Sequence, residues 1–567
     1  MNLSITNLRG KLKKTSLLLL CLGAWQAEAQ ETITVFDGVL YYDGYAGFVE
    51  GADLLEPISS DILRFSNAVY AKKLTDAQLD LIGNTLDIDV KLEAACDNYD
   101  RLGHVTLAFT PKGVETYVQS EVQHIEVSRF ITPFMNKNNS PNNVNYHFKS
   151  DNVADILSNT ALREQYDIWV EFEVFGTTGA GQTQVSGCSG HKDTFRATLK
   201  LTTSEDSSIV NADPLFFKPI LSRVNMNNYD ATDVPGETTK LINFHLDTQV
   251  ENLKLFLITS NHGSNSGGEE YIRRRHNVYL NNTLIYAYAP GGKSCEPYRQ
   301  FNTQGNGIYG VNPMPVRGWI YWNNWCPGDR IPIHEVNLGT LPAGDYTVKV
   351  DVPDAVFNGS QGNFPISAYL ENRASGDVPA CVMPVNLSAT ATNYGIDVNW
   401  DELGSSDEWE VLYGKVIVNG QGQITNASLL DENYHSVSGE TEGSLSENLL
   451  TSTQYQIFVR SNCDEENNSN WSLPTYRTTK ATILTLAENT INPFMYYPNP
   501  VENNLYIKSD NREINGISVY DMNGRLVMTK EITGLEGMVN MESLTTGMYL
   551  LKVNVEGEVQ TYKFQKK

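Results

Sequence analysis

The sequence predicts an all-β protein built from β-sandwiches or jelly rolls. Short runs at residues 86–92, 169–175 and 253–258 alternate between apolar and polar side chains with a period of two, which is typical of strands with one buried face. Gly, Asn and Pro separate such runs, and few segments show helical periodicity. Many short strands joined by turns are the signature of sandwiches and jelly rolls.

The first residues are predicted to form a secretory signal peptide at residues 1–29. Basic residues between positions 9 and 14 precede a short apolar run, and Ala27-Glu28-Ala29 follows as a small-x-small cleavage pattern. A membrane span needs about 20 apolar residues, and neither this run nor any internal stretch is that long. We therefore expect export without a transmembrane segment.

The charge balance excludes one class of partner. The formal net charge is -25, and the signal segment carries four basic residues and one acidic residue, so its removal leaves -28. Such an acidic surface repels phosphate backbones, so we expect no nucleic-acid partner. The same charge favours solubility outside the cell.

Six cysteines remain after the signal segment. They are Cys96, Cys188, Cys295, Cys326, Cys381 and Cys463. An even number in an exported chain indicates disulfides rather than catalytic thiols. None lies in a Cys-x-x-Cys pair, which weakens any zinc interpretation. Counting alone leaves the pairing open.

Two polar stretches divide the mature chain. One lies at residues 203–215 and the other near residues 373–377, and the first separates two apolar-rich blocks. They predict consecutive β-domains at residues 30–205 and 206–374, with further units beyond them.

A third unit is predicted at residues 378–480. The runs 396–400 and 409–413 have the pattern of consecutive sandwich strands, and the run 455–460 begins with a tyrosine suited to a tyrosine corner. The segment resembles a fibronectin type III module. That resemblance implies a disulfide between Cys381 and Cys463.

The last unit is predicted at residues 491–567. It has Tyr-Pro-Asn-Pro at 497–500, an Asn-Gly hairpin signal at 523–524 and Gly-Met-Tyr-Leu-Leu-Lys-Val at 547–553. These features resemble the C-terminal sorting domain of the type IX secretion system of Bacteroidetes. The resemblance implies a small β-sandwich that the secretion machinery recognises, transit through the periplasm, and a secreted or cell-surface protein.

Four ordered motifs carry the chemistry of the first two domains. Cys-Asp-Asn-Tyr-Asp-Arg occupies 96–101, Arg-Phe-Ile-Thr-Pro-Phe occupies 129–134, Glu-Tyr with a following Arg-x-His occupies 270–276, and Trp-Cys-Pro-Gly occupies 325–328. Carboxylate, arginine and tryptophan side chains are what a site needs to hydrolyse a bond beside a sugar. Taken alone, an adjacent Asp-Arg pair would be read as a surface ion pair.

On these four motifs, residues 33–372 resemble the peptide-N-glycosidase F family. The resemblance implies two adjacent antiparallel jelly rolls with the active site in the cleft between them. It also implies a peptide-N4-(N-acetyl-β-glucosaminyl)asparagine amidase, which hydrolyses the amide between an asparagine side chain and N-acetylglucosamine and leaves aspartate. The substrates would be N-linked glycoproteins or glycopeptides, and we expect a monomer.

The resemblance implies three catalytic acids. Asp100 would activate the attacking water or bind the amide linkage of the first sugar, and Glu270 would be the second acid. Glu269 stands beside Glu270 and would replace it if the match shifted by one residue. The third acid is expected at Glu173, with Glu171 as the alternative on the same strand face.

The resemblance also implies a set of substrate-binding side chains. They are Arg101, Trp325, Tyr271, Arg317 and His262. Trp325 would stack on the apolar face of a sugar ring, and Arg101 would orient the substrate. Arg317 is matched only loosely, because the spacing before the tryptophan differs from that of the family.

Two further disulfides follow from the resemblance. Cys295 and Cys326 match a family bridge, and Cys188 is then left for Cys96, whose local partner in the family is missing here. His262 and His276 could be read with Glu270 as a metal cluster, but their spacing fits no common zinc motif. We expect no metal and no cofactor.

The alternative function is a glycan-binding protein, a lectin or adhesin, on the same scaffold. A lectin would need its tryptophans more than its acids. The presence of Asp100, Glu173 and Glu270 therefore favours the amidase.

Overall fold

A computed structural model gives the fold of most of the chain in two compact units. It describes residues 30–209, 212–263, 269–314, 316–320, 324–357, 361–373, 381–418, 433–464, 468–481, 494–509, 512–555 and 558–567. The first unit holds Met1–Thr390, Asp397–Leu445 and Thr453–Thr478, and the second holds Ala391–Ile396, Ser446–Ser452 and Thr479–Lys567. The predicted signal peptide lies outside the described residues.

The strands of the first two domains follow one another along the chain with short connections. They are β1 (Glu31–Tyr42), β2 (Ile62–Arg64), β3 (Val69–Lys73), β4 (Thr85–Ala94), β5 (Leu102–Pro111), β6 (Gln123–Ile131), β7 (Asn143–Lys149), β8 (Tyr166–Val174), β9 (Asp193–Ser204), β10 (Phe217–Met226), β11 (Thr239–Leu246), β12 (Val250–Thr259), β13 (His276–Leu280), β14 (Thr283–Tyr288), β15 (Arg330–Ile331), β16 (His334–Leu341), β17 (Gly344–Asp351) and β18 (Phe364–Asn372).

These strands form two antiparallel jelly rolls, which confirms the predicted fold class. The first pairs a sheet of order β1-β9-β4-β7 with one of order β15-β6-β5-β8-β3-β2, and the second pairs β10-β18-β12-β16 with β11-β17-β13-β14. The period-two runs bury one face: residues 86, 88, 90 and 92 of β4 are all buried in the first core.

Helices are short and lie between strands. They are α1 (Asp76–Leu79), α2 (Asp151–Ser158), α3 (Thr160–Gln165), α4 (Gly181–Gln184) and α5 (Val316–Ile320), with short 3-10 helices at Gly51–Asp53, Gln119–Glu121, Glu269–Tyr271 and Glu296–Phe301. No helix in the described ranges is long and apolar enough to cross a membrane.

A buried arginine, Arg129, joins the two jelly rolls. Arg129 on β6 is 1% exposed, and its Nε and Nη2 each lie 2.6 Å from a carboxylate oxygen of Glu126. Its Nη1 donates to Ser260 Oγ and to the Pro365 carbonyl, both at 2.8 Å and both on the second domain. Charge-assisted bonds of this kind are strong and directional, so they fix the 129–134 motif against the second jelly roll.

Two smaller sandwiches follow. Their strands are β19 (Val385–Ala391), β20 (Ile396–Asp401), β21 (Glu408–Lys415), β22 (Asn433–Ser438), β23 (Glu442–Leu445), β24 (Gln454–Ser461), β25 (Thr475–Thr478), β26 (Phe494–Tyr497), β27 (Asn504–Ser509), β28 (Ile514–Asp521), β29 (Leu526–Gly534), β30 (Glu536–Asn540), β31 (Gly547–Val555) and β32 (Glu558–Lys566). The first pairs β19-β20-β23 with β22-β21-β24-β25, the arrangement of a fibronectin type III sandwich, and the other pairs β26-β27-β30 with β29-β28-β31-β32.

Candidate active site

Asp100 lies on a loop that the buried side chain of Asp97 shapes. The loop joins β4 to β5. Asp97 is fully buried there, and its carboxylate oxygens accept the amide of Tyr99 at 2.6 Å and that of Thr177 at 2.7 Å. An aspartate that binds the amide two residues on closes a tight turn. The turn is therefore closed by the carboxylate of Asp97 and not by that of Asp100.

A disulfide reinforces this loop. The structure forms Cys96–Cys188, Cys295–Cys326 and Cys381–Cys463, the pairs that the sequence resemblances imply. Cys96–Cys188 ties the Asp100 loop to the segment after α4. At Gly181 the two segments are so close that a Cβ would lie 2.0 Å from the Cys96 carbonyl oxygen, so only glycine fits.

Arg101 connects the Asp100 loop to the 129–134 motif. Its guanidinium carbon lies 4.4 Å from the centre of the Tyr99 ring, a cation–π contact, and its Nη1 lies 3.8 Å from Asp100 Oδ1. The Arg101 amide donates to Thr132 Oγ1 at 2.8 Å, and the Thr132 amide donates to the Arg101 carbonyl at 2.8 Å. The guanidinium is thereby held beside the Asp100 carboxylate.

The structure separates the two adjacent glutamates. Glu269 is fully buried, and both its carboxylate oxygens take charged bonds from Arg274 at 2.8 Å. It also accepts the Val356 amide at 2.8 Å. Glu270 instead accepts the Gly263 amide at 2.9 Å. Glu269 therefore anchors the 3-10 turn, and Glu270 is the acid that this turn presents.

Asp100 and Glu270 interact electrostatically. Burial, and after it the negative charge of Glu270, raise the pKa of Asp100 to about 7 against the opposing charge of Arg101. Burial also raises the pKa of Glu270, although the Gly263 amide and the Tyr271 hydroxyl oppose this shift. Two carboxyls with raised pKa values and a shared arginine are typical of acid–base sites.

A cavity of about 470 Å³ lies next to this pair. Its wall includes Tyr99 and Tyr271, the chain neighbours of the two acids, which are 42% and 37% exposed. Further lining residues come from both jelly rolls: Asn98, Phe134, Gln184 and Ile308. Ligand cavities commonly have volumes of about 300–1,000 Å³ and mix apolar rings with a few polar groups, so this one has the size and lining of a ligand site.

Glu173 occupies a different setting. Its Oε2 lies 3.2 Å from His104 Nε2 and 2.7 Å from Arg223 Nη1. Burial alone would raise the pKa of Glu173, but the charges and hydrogen bonds of His104 and Arg223 outweigh burial and lower it to about 2. Glu171, the alternative, accepts bonds from Tyr117 at 2.8 Å and Gln119 at 2.9 Å. Both glutamates are therefore held by fixed partners.

Replacing Glu173 with glutamine is expected to destabilise the protein at neutral pH by about 3–5 kcal/mol, because it leaves His104 and Arg223 without their anion. The folded-state pKa of Glu173 lies below its ordinary value of 4.5, so its contribution is present above pH 4.5 and is lost as the pH falls towards 2. Urea unfolding of both proteins across this range should show the difference shrink with falling pH. A difference independent of pH would contradict the ion-pair assignment.

Trp325 is buried and His262 is half-buried, and neither belongs to the lining of the cavity. Trp325 is 4% exposed, packs with Ile131 and Ile331, and donates its indole N–H to the Asn261 carbonyl at 3.0 Å. The ring of His262 lies 6.0 Å from that of Trp325, and burial lowers its pKa to about 3. Little of the Trp325 ring is free to stack on a sugar. The side chain of Arg317 lies outside the described residues.

Among the described residues, one group has metal-ligand spacing: Cys96, His191 and Asp193. The sulfur of Cys96 is bonded to Cys188 and cannot serve as the thiolate that a metal takes. His276 is fully buried, and its Nδ1 lies 3.1 Å from the Arg274 carbonyl.

Sequence reasoning missed Tyr99 as a site residue. It stands inside the first motif, between Asp97 and Asp100, and the structure makes it both the support of Arg101 and an exposed wall of the cavity. An aromatic residue beside a candidate acid was the available signal. Gln184, which accepts a bond from Asn98 at 2.8 Å, had none, since it lies 84 residues beyond Asp100.

Three family profiles match the chain. The profile described as peptide-N-glycosidase F, N terminal, matches residues 32–186. The one described as peptide-N-glycosidase F, C terminal, matches residues 228–371, and that of a secretion system C-terminal sorting domain matches residues 495–567. No curated protein matches the chain.

Solved structures similar to this chain include two crystal forms of PNGF-II. Both are 21% identical to it, with TM-scores of 0.44 and 0.45, over 60% and 61% of this chain and 65% and 66% of theirs. A recombinant peptide:N-glycanase F is 15% identical over 61% of this chain and 96% of its own, with a TM-score of 0.39. This chain thus spans about two thirds of the length of the PNGF-II structures.

The fold and the site define an all-β protein with a buried and a half-buried acid beside a cavity lined by two jelly rolls. With the profile matches, the chain is a peptide-N-glycosidase F-like protein that carries a secretion-system sorting domain. The sorting domain indicates export by type IX secretion to the cell surface or the medium.

Proposed function

We propose that this protein is a peptide-N4-(N-acetyl-β-glucosaminyl)asparagine amidase that releases intact N-glycans from glycoproteins or glycopeptides. The observation that carries the proposal is the pairing of Asp100 with Glu270, two acids whose pKa values are raised, beside a cavity with two exposed tyrosine rings. A lectin would need the rings and the cavity, but not two neighbouring acids with raised pKa values.

The proposed reaction is hydrolysis of a linear amide. Water adds to the carbonyl carbon of the asparagine side chain, the carbon–nitrogen bond breaks, and the nitrogen leaves on the sugar as a glycosylamine, while asparagine becomes aspartate. A carboxyl with a pKa near 7 suits both steps, because it can accept the proton of the water and return it to the leaving nitrogen. We assign this acid–base role to Asp100.

The neighbouring charged groups divide the remaining tasks. The guanidinium of Arg101, 3.8 Å from Asp100 Oδ1, supplies positive charge for the oxygen that becomes negative in the transition state. Glu270 raises the pKa of Asp100 and orients the water or the sugar amide. Glu173 stays ionised between His104 and Arg223, and we assign it a positioning role in place of the catalytic one implied by the resemblance.

The rings that line the cavity are proposed to bind the first sugars. Replacing Tyr99 with alanine should raise KM by roughly 2- to 10-fold, because a lost ring contact costs about 0.5–1.5 kcal/mol. Tyr99→Phe keeps the ring over Arg101 and should stay near the wild-type KM. Tyr476, 39% exposed on β25, is a matched control, and Tyr476→Ala should not change KM. An unchanged KM for Tyr99→Ala would contradict a sugar site here.

Denatured N-glycosylated ribonuclease provides the direct test of activity. We expect the mature protein to release the whole glycan and shift the electrophoretic mobility of the ribonuclease, while Asp100→Asn does not. Retention of the glycoprotein on immobilised protein without release would instead indicate the lectin.

The same proposal assigns the chain's regions. A signal peptide at residues 1–29 is removed on export, jelly rolls at 30–205 and 206–374 form the amidase, and a fibronectin type III-like module occupies 378–480. The type IX secretion machinery recognises residues 491–567. We propose that the enzyme acts as a monomer without a metal or cofactor.

A further inference from the structure

The fibronectin type III-like sandwich, here called the sandwich module (residues 381–478), packs against the second jelly roll. Ala287 and Ala289 of the jelly roll form a buried cluster with Met383 and Val385 of the module. A second buried cluster joins Ile320, at the end of α5, to the module residues Leu412, Phe458 and Trp471. Continuous apolar burial of this kind is typical of a fixed interface rather than of a flexible tether.

The charged side chain of Arg273 crosses this interface. Arg273 is 6% exposed, and its Nη2 donates to the Trp471 carbonyl of the module at 2.6 Å and to the Ala289 carbonyl at 3.0 Å. Its Nε donates to the Pro290 carbonyl at 2.8 Å. A Cβ at Gly292 would lie 2.6 Å from the Arg273 guanidinium carbon. The cation therefore sits in a close-fitting cage of carbonyl oxygens that the module completes.

Asn470 closes the same contact from the module side. Its Nδ2 donates to the Ala289 carbonyl at 3.1 Å and to the Gly291 carbonyl at 2.8 Å. Hydrogen bonds to charged groups contribute more than neutral ones, and a buried cation that loses an acceptor pays the cost of its desolvation. Removal of the module's carbonyl would thus destabilise the conformation of Arg273.

Arg273 lies three residues after Glu270 and two after Tyr271 in the chain. The 3-10 turn Glu269–Tyr271 continues directly into it, with the Ile272 amide donating to the Glu269 carbonyl at 3.3 Å. Asn324 Nδ2 holds the other side of the turn through the Glu270 carbonyl at 2.7 Å. The turn is thus fixed at Arg273 by the Ala289 and Pro290 carbonyls of the jelly roll together with the Trp471 carbonyl, which the module supplies.

We infer that the sandwich module braces the loop that carries Glu270 and Tyr271, and that Arg273 is the positioning residue through which it does so. The effect of this bracing on catalysis rests on the proposed function, whereas the bracing itself is independent of it. The module is then part of the enzyme's active conformation and not a passive spacer between the amidase and the sorting domain.

Hydrogen–deuterium exchange of the full chain tests the bracing without any activity. In Arg273→Met and in the milder Asn470→Ala, we expect peptides covering residues 269–276 to exchange faster than in wild type, because local opening of this loop becomes easier. Arg477→Met is the matched control, since Arg477 donates to the Ala389 carbonyl within the module. If Asn470→Ala and a folded Arg273→Met exchange like Arg477→Met, the inference is wrong.

The catalytic consequence has its own measurement. In Arg273→Met and Asn470→Ala, we expect kcat to fall about 10- to 100-fold with little change in KM, because Glu270 would be slightly misplaced. Asp100 is faced by Glu270, Arg101, Asp97 and Tyr271, and withdrawal of the Glu270 charge should move the Asp100 limb of the pH–rate profile to lower pH. A fall in rate with an unmoved limb would reject the positioning role. Inactive wild-type protein would reject the proposed function and leave the exchange result to decide the bracing.

Discussion

Asp100→Asn is expected to abolish amidase turnover, with a fall in kcat of about 10²- to 10⁴-fold, the range typical of a lost general acid–base group. The variant should fold normally, because Asp97, Thr132 and the Cys96–Cys188 disulfide hold the loop without the Asp100 carboxylate. Single-turnover release of glycan from a labelled glycopeptide measures the effect. Asp89→Asn, at a half-exposed aspartate on β4, is the control and should keep the wild-type rate.

Asp100→Asn should also be more stable than wild type above pH 7, which would show that the Asp100 carboxylate does not hold the fold together. The pKa of Asp100 is raised from 3.8 to about 7, so the folded protein holds this proton more tightly and loses stability as the pH rises from 3.8 to 7. Asparagine does not titrate and lacks this loss. The variant should therefore match wild type near pH 4 and unfold at higher urea concentration above pH 7. Loss of stability in Asp100→Asn at pH 8 would mean that the carboxylate is structural.

Glu270→Gln and Glu269→Gln should give opposite phenotypes although the residues are adjacent. Glu270→Gln should remain stable, lose about 10²-fold or more in kcat, and shift the Asp100 limb of the pH–rate profile to lower pH, because a negative charge that raises the pKa of Asp100 is gone. Glu269→Gln breaks the buried pair with Arg274 and should cost about 3–5 kcal/mol of unfolding free energy.

Parallel urea titrations and pH–rate profiles of the two variants decide the assignment. A stable but inactive Glu269→Gln together with an active Glu270→Gln would reverse the roles. The pair is informative because each variant is the other's control for charge, location and chain position.

The fold class could be predicted because a period of two is a local property. Residues 86–92 alternate in sequence and bury alternate side chains in β4, and sandwich strands recur with turn residues between them. The docking of the sandwich module on Ile320 and Arg273 could not be predicted. It depends on surface complementarity between segments nearly 200 residues apart, which no periodicity records.

The site was predictable in its residue types but not in their partners. The sequence does not show whether Glu269 or Glu270 is the second catalytic acid. The structure separates them because the side chain of Arg274 binds both carboxylate oxygens of Glu269. Trp325 reads as a sugar platform in sequence, yet its ring is buried against Ile131 and Ile331. Motif spacing places residues along the chain, whereas burial and ion pairing are set by elements that the fold brings together.

The bond that breaks is the central claim, and the mass of the peptide product tests it most directly. A synthetic N-glycopeptide is incubated with the mature protein in oxygen-18 water and analysed by mass spectrometry. Amide hydrolysis predicts a peptide in which the glycosylated asparagine has become aspartate with one oxygen-18 atom in its side chain. A peptide that keeps asparagine with one N-acetylglucosamine attached would show cleavage between sugars and contradict the amidase.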